Sequence, residues 1–311
     1  MGKGVAPVDE SRWYNSAEAY RAIQALVREG RYQEAVDRSQ RVLQEGGLGR
    51  KHSARLHSQI CWLYIEQMHK ACPAAALHGE EAVRLAELVH DQWIRTEALA
   101  RLVHTYCRLG DLDRARAAFR EVARELEQND SALVGGTAAL LQLEATIALA
   151  AGEEEACLSA LCLAEEFSGA HAPAMRSRAC LQRIFALLEF GRHDEAADLL
   201  RCTGPTAQAP PDALLEWDLA RAWLAAVTRP RHEALPLVNG LQDRAEAAGQ
   251  AVAVIHCLAL RALLAGRGET DEAYRLARLA LDRCMTTGRV DFARSLRRRL
   301  GHLLILSRSS S

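Results

Sequence analysis

The sequence predicts an all-α solenoid, a stack of helix pairs, and three observations carry that expectation. Alanines return on a fixed schedule: Ala35, Ala75, Ala115, Ala156, Ala196, Ala234 and Ala273 follow one another at intervals of 38 to 41 residues. A period between about 20 and 50 residues marks a repeat array. The composition is helical, since Ala, Leu, Arg and Glu dominate a chain with 8 prolines and 5% aromatic residues, and all four are strong helix formers. No stretch alternates apolar and polar residues as a half-buried strand does.

Each period divides into a helix A, a turn and a helix B. Most turns share one phrase: Gly30-Arg-Tyr-Gln-Glu-Ala35, Gly110-Asp-Leu-Asp-Arg-Ala115, Gly152-Glu-Glu-Glu-Ala156, Gly191-Arg-His-Asp-Glu-Ala196 and Gly268-Glu-Thr-Asp-Glu-Ala273. The first unit runs from about Ser16 to Gly46. The second spans Lys51–His90, and its turn Lys70-Ala-Cys-Pro73 replaces the glycine, with Pro73 suited to the first turn of helix B. In the third, Leu99, Leu102, Val103 and Tyr106 fall at i, i+3, i+4, i+7 and give helix A one apolar stripe. Gly110 then stops the helix by entering the left-handed conformation, and Asp111 caps the next by accepting from its free amides. Helix B continues as Ala115, Ala118, Phe119, Val122 and Leu126, again on one face. The recurring alanine is small because helices A and B cross closely there.

The fourth unit spans about Leu133–Phe167 and the fifth about Ala172–Leu200. The proline-rich stretch Cys202–Pro211 reads as the longest loop. The sixth unit runs over about Asp212–Ala248, with Thr228-Arg-Pro-Arg231 as its turn, and the seventh over about Gln250–Thr287. A last helix, Val290–Leu306, reads as a cap on the final hydrophobic edge. Residues 13–306 thus form one solenoid domain. Residues 1–12 and 307–311 are expected to be disordered ends.

These turn phrases resemble those of the tetratricopeptide repeat (TPR), best at Gly30–Ala35 and Gly110–Ala115. The resemblance covers about Ser16–Thr287. It implies a right-handed α-solenoid of about seven TPR-like helix pairs plus the C-terminal capping helix. The usual period is about 34 residues; one near 40 implies longer helices, by roughly one or two turns shared between A and B. Long-helix arrays of this kind look like bacterial TPR sensor and regulator domains. The function so implied is a non-enzymatic scaffold or adaptor that binds a peptide or partner segment in its concave groove. The alternative is the peptide-sensing domain of a bacterial transcriptional regulator without a DNA-binding module of its own, since only about fifteen residues precede the first repeat.

In such an array the A helices line the concave face. Counting back from the turns places Tyr20 and Gln24 there in the first unit, His57, Tyr64 and Gln67 in the second, and His104 and Arg108 in the third. Gln142 and Thr146 follow in the fourth unit, Arg178 and Gln182 in the fifth. Side chains with several donors and acceptors suit an extended peptide, whose amides must be satisfied once they leave water.

Several classes of function are disfavoured. Net charge is −1, with 39 basic and 40 acidic side chains, so no whole-surface attraction to nucleic acid or anionic membrane is expected. Arg294, Arg297, Arg298 and Arg299 spread over more than one face of the last helix and read as its solvated charges. The nine cysteines form no Cys-x-x-Cys pair and fall mostly in apolar helical stretches, which points to buried thiols in a reducing cytoplasm. Met1–Ser16 lacks the apolar core of a signal peptide. Histidines are scattered without metal-ligand spacing, so neither metal nor cofactor is expected. Glu153–Glu155 and Glu165-Glu166 read as helix-end charges rather than acid–base pairs. Trp62, Trp93, Trp217 and Trp223 could stack a ligand; Trp62 and Trp223 belong to apolar runs and read rather as buried, and Trp217, flanked by Glu216 and Asp218, is expected to be half exposed. Homo-oligomerisation through the first unit or the apolar Leu303–Leu306 run stays open.

Overall fold

The computed structural model describes residues 10–67, 73–128, 135–168, 172–205, 211–266, 270–287 and 290–306. The turn 70–73, most of loop 202–211, the Gly268 turn and the two chain ends therefore lie wholly or partly outside the described residues. Among those described, every element is helical. In chain order they are α1 (Glu10–Arg28), α2 (Tyr32–Glu45), α3 (Arg50–Trp62, continued by a π-helical turn Leu63–Gln67), α4 (Pro73–Leu88) and α5 (Gln92–Leu109). Then come α6 (Leu112–Gln128), α7 (Gly135–Ala151), α8 (Glu154–Ser168), α9 (Pro173–Glu189) and α10 (His193–Cys202). The last are α11 (Pro211–Thr228), α12 (Arg231–Ala247), α13 (Ala251–Ala265), α14 (Thr270–Thr286) and α15 (Val290–Leu306). Helices pack on their sequence neighbours, as in a helical solenoid. The chain divides into two compact units, residues 1–102 and 103–311.

The turns show why the helices stop where they do. At Gly110 φ is +79°, the Gly110 amide donates to the Cys107 carbonyl, and the Asp111 amide donates to the Tyr106 carbonyl at 2.9 Å. This is the Schellman closure, and it needs a residue in the left-handed region. Gly30, Gly152, Gly191 and Gly249 repeat it. His90 repeats it with φ +53° in place of a glycine. Helix starts carry the complementary device: Asp111 Oδ1 accepts from the Arg114 amide at 3.2 Å, and Asp91 Oδ1 from the Ile94 amide at 3.1 Å. Lys51 Nζ lies 2.7 Å from Asp91 Oδ2, tying the start of α3 to that of α5.

The alanine schedule is a packing schedule, with one correction. Ala35, Ala75, Ala115, Ala196, Ala234 and Ala273 are fully buried, whereas Ala156 is exposed and its neighbour Cys157 is fully buried. The backbone shows the equivalence. The amides of Ala35, Ala115, Cys157 and Ala196 each donate to the carbonyl that directly follows the turn glycine. The phrase Gly152-Glu-Glu-Glu-Ala156 is one residue short, so a small thiol fills the slot instead.

In the first unit Ala54, Leu85, Ala86 and Ile94 join α3, α4 and α5 in a small core. In the second unit a larger core threads α9, α10, α11, α12 and α13 through Ile184, Leu187, Trp217, Trp223, Leu241 and Leu260. It is followed by a core of α13, α14 and α15 around Ile255, Leu276, Leu296 and Leu300. Each such leucine or isoleucine contributes about 1.5–3 kcal/mol on burial. Trp217 belongs to this core, 2% exposed, against the half-exposed position expected from its charged neighbours in sequence. Those neighbours occupy the other faces of α11, which a linear reading cannot separate.

Candidate interaction groove

Three A helices of the first unit present one face to a common cleft. Tyr20, Gln24 and Val27 come from α1; Arg55, Gln59 and Trp62 from α3; Trp93, Ile94, Glu97 and Arg101 from α5. On each helix these residues follow the i, i+3/i+4, i+7 rule that puts side chains in one row. The cleft has a volume of about 350 Å³, at the lower end of the range for ligand clefts, about 300–1,000 Å³. It takes a few side chains of a ligand rather than a folded body.

Its floor is polar and fixed. Arg101 donates through Nη1 to Ser58 Oγ at 2.6 Å and through Nη2 to Glu97 Oε1 at 2.5 Å. Gln59 is buried, 7% exposed, and its Oε1 accepts no hydrogen bond among the described residues. A buried acceptor without a donor costs about 1–3 kcal/mol, which a ligand N–H would recover. The rim is apolar and open. Trp93 is 77% exposed and Tyr20 39% exposed. Trp93 stands out because the start of α5 turns Ile94 into the core and leaves its predecessor on the surface. Aromatic rings beside fixed donors and acceptors cover apolar ligand surface at low entropy cost and align its polar groups.

Of the residues named from sequence, Tyr20 and Gln24 line this cleft. His57 points elsewhere: its Nδ1 lies 2.8 Å from Nδ1 of His78 on α4. The side-chain amide nitrogen of Gln40 lies 3.5 Å from Nε2 of the same His78. Tyr64 is buried, with its ring 6.5 Å from that of His78. The side chain of Gln67 lies outside the described residues. His104 and Arg108 are half-buried on the last turns of α5. On α7, Thr146 donates its hydroxyl to the Gln142 carbonyl at 2.8 Å, and Gln142 Nε2 is buried without a partner among the described residues. Gln182 Oε1 on α9 is in the same state, one turn below an exposed Arg178.

Sequence reading missed Arg55, Gln59, Glu97 and Arg101; it named Trp62 and Trp93 as rings that could stack a ligand, while favouring burial for Trp62. Counting back from the turn assumes ideal helix, and the π turn Leu63–Gln67 inserts a residue and rotates α3 by about 100° relative to that count. A stripe count started from Tyr20, Gln24 and Val27 and carried to Arg55, Gln59 and Trp62, the same i, i+4, i+7 spacing, finds the face directly.

Glu165 and Glu166 border a shallow depression with Cys162 and Arg176. Arg183 sits 3.2 Å from Glu165, which makes this an ion pair rather than two coupled carboxylates. Among the described residues no three His, Cys, Asp or Glu groups cluster as metal ligands, and no helix is long and apolar enough to cross a membrane. No protein-family model matches this chain, and no curated protein matches it at a significant level.

Proposed function

We propose that this chain is a non-enzymatic, cytoplasmic interaction module, a right-handed array of about seven TPR-like helix pairs capped by α15, that holds a peptide or partner segment along the A-helix face of its first unit. One observation carries the reading: α1, α3 and α5 alone line the cleft, and they set two exposed aromatic rings, Trp93 and Tyr20, beside a buried amide oxygen of Gln59 that has no donor. The rings cover an apolar side chain of the segment, and Gln59 takes one of its N–H groups. Gln24, Arg55 and Glu97 also line the cleft, where charge and amide pairing select among sequences.

The test is a photo-crosslinking residue at position 93, used to capture bound segments. The recovered segment, made as a peptide, is then titrated by calorimetry. Binding to the unmodified chain that weakens about tenfold or more in Trp93→Ala, and similarly in Gln59→Leu, supports the reading, as hot-spot aromatics commonly cost 2 kcal/mol or more. Equal affinity for all three proteins would overturn it.

A further inference from the structure

The second unit carries another A-helix face, and its own last helix is seated on it. Glu189 on α9, Trp223 on α11 and His256 on α13 form a row of contacts with α15. The Phe292 ring lies 4.1 Å from that of His256, and His256 lies 5.6 Å from Trp223. The Arg299 guanidinium stacks on Trp223 at 4.1 Å. Glu189 accepts from Ser295 Oγ at 2.8 Å and from Arg298 Nη2 at 3.1 Å, and lies 3.5 Å from Arg299 Nε. Arg294 reaches the Ala150 carbonyl at 3.5 Å. The arginines of α15 thus meet the C-terminal ends of α7 and α9, where helix carbonyls concentrate negative potential.

This seating is polar and incompletely satisfied. All three guanidinium nitrogens of Arg299 are shielded from solvent, and none makes a hydrogen bond among the described residues. Its side chain is 11% exposed. One carboxylate, Glu189, serves Ser295, Arg298 and Arg299 at once. Stacking on Trp223 and the pairing with Glu189 hold the guanidinium, so removing it would loosen the helix, but its unmade hydrogen bonds leave it short of its full strength. The apolar side is tight, with Phe292, Leu296 and Leu300 buried. Such a helix is held by its apolar stripe and by the Arg299 stack and ion pair, and its arginine binds less tightly than a fully hydrogen-bonded one would.

We propose that the face built by Glu189, Trp223 and His256 is a binding site for an arginine-bearing amphipathic helix, with α15 as its resident occupant in cis. A partner helix must supply an aromatic side chain, apolar residues one turn on, and an arginine seven residues after the aromatic, the spacing of Phe292 and Arg299. It gains affinity over α15 by offering Arg299's equivalent a hydrogen-bond acceptor of its own. This site is separate from the cleft of α1, α3 and α5, and either can fail without the other.

The test uses the full chain and a fluorescently labelled synthetic peptide of residues 290–306. Arg299→Ala loosens α15 but leaves the cradle intact, so the probe should bind this variant about tenfold tighter than the unaltered chain, because the cis competitor is weaker. Adding Glu189→Gln to that variant should remove the gain, and a probe carrying Arg299→Ala should not bind. Equal probe affinity for the variant and the unaltered chain, no binding to either, or indifference to Glu189→Gln would overturn the proposal. Circular dichroism checks that the variants fold. Hydrogen exchange of the unaltered chain gives a reading free of substitution: α15 amides should exchange about tenfold faster than those of α13 and α14, and exchange of all three as one body would equally overturn it.

Discussion

At the scale of single residues, the facing pair His57 and His78 ties stability to pH. Burial lowers the proton affinity of both rings, and the charge each would place on the other lowers that of His78 further, to about 4. Arg84 also opposes charging of His57, while Glu81 favours it. The unfolded chain takes up protons near pH 6.5, and in the folded chain His78 resists until near pH 4 and His57 is also held below its ordinary value. Unfolding therefore becomes easier as pH falls through that window. Urea midpoints measured at pH 7, 6 and 5 should decline, and His78→Gln should flatten the decline. A midpoint equally steep in that variant would remove the pair as the cause. Thiols behave in the opposite sense. Burial pushes Cys157, Cys180 and Cys257 up to about 12, while Cys202 is exposed. Only thiolate reacts with an alkylating reagent. Mass mapping after brief iodoacetamide treatment at pH 8 should find Cys202 modified, with those three spared until urea unfolds the chain.

At the scale of helices, the caps and the crossings make separate predictions. His90 performs a glycine's task at φ +53°, and a non-glycine residue in that region costs about 1–2 kcal/mol. His90→Gly removes this strain and adds back part of it as unfolded-chain freedom. A net gain of about 0.5–1 kcal/mol is expected in urea unfolding, and Gly110→Ala should lose about 1 kcal/mol in the same assay. Gly79 tests the crossings. In open helix an alanine would gain about 0.8–1 kcal/mol over glycine. Here its Cβ would stand 2.6 Å from Leu102 Cδ2 and 3.3 Å from Cys61 Sγ, both buried. Overpacking costs about 1–3 kcal/mol and should win, so Gly79→Ala is expected to lower the urea midpoint. A raised midpoint would show that Leu102 can move aside.

Much at this scale was legible in the linear sequence. The α15 boundaries, Val290–Leu306, and the Asp111 cap follow from apolar stripes and polar starts, which are local signals. The Cys157 slot was hidden because a seven-fold alanine pattern outweighs a one-residue deletion, and only a backbone hydrogen bond shows which residue keeps step.

At the scale of the molecule, what could not be read was which face of each A helix points where. Composition says that Arg294, Arg297, Arg298 and Arg299 are charged; it does not say that one of them leaves water. That outcome depends on α15 meeting Glu189, 110 residues earlier than Arg299, and no local pattern encodes it. The same holds for the cleft. Tyr20 and Gln24 were within reach of a turn-based count, and Gln59 was not, because the π turn of α3 breaks the count between it and the turn that follows.

Trp93 gives the protein an optical consequence. Trp217 and Trp223 lie in dry cores and Trp62 is half-buried, so among the tryptophans with described side chains Trp93 is the one that meets water broadly. Its indole excited state relaxes against mobile solvent dipoles and emits to the red of the buried pair. Iodide reaches it and leaves Trp217 and Trp223 bright. A segment that settles in the cleft would shift that emission to the blue, so the chain can report its own occupancy without a dye.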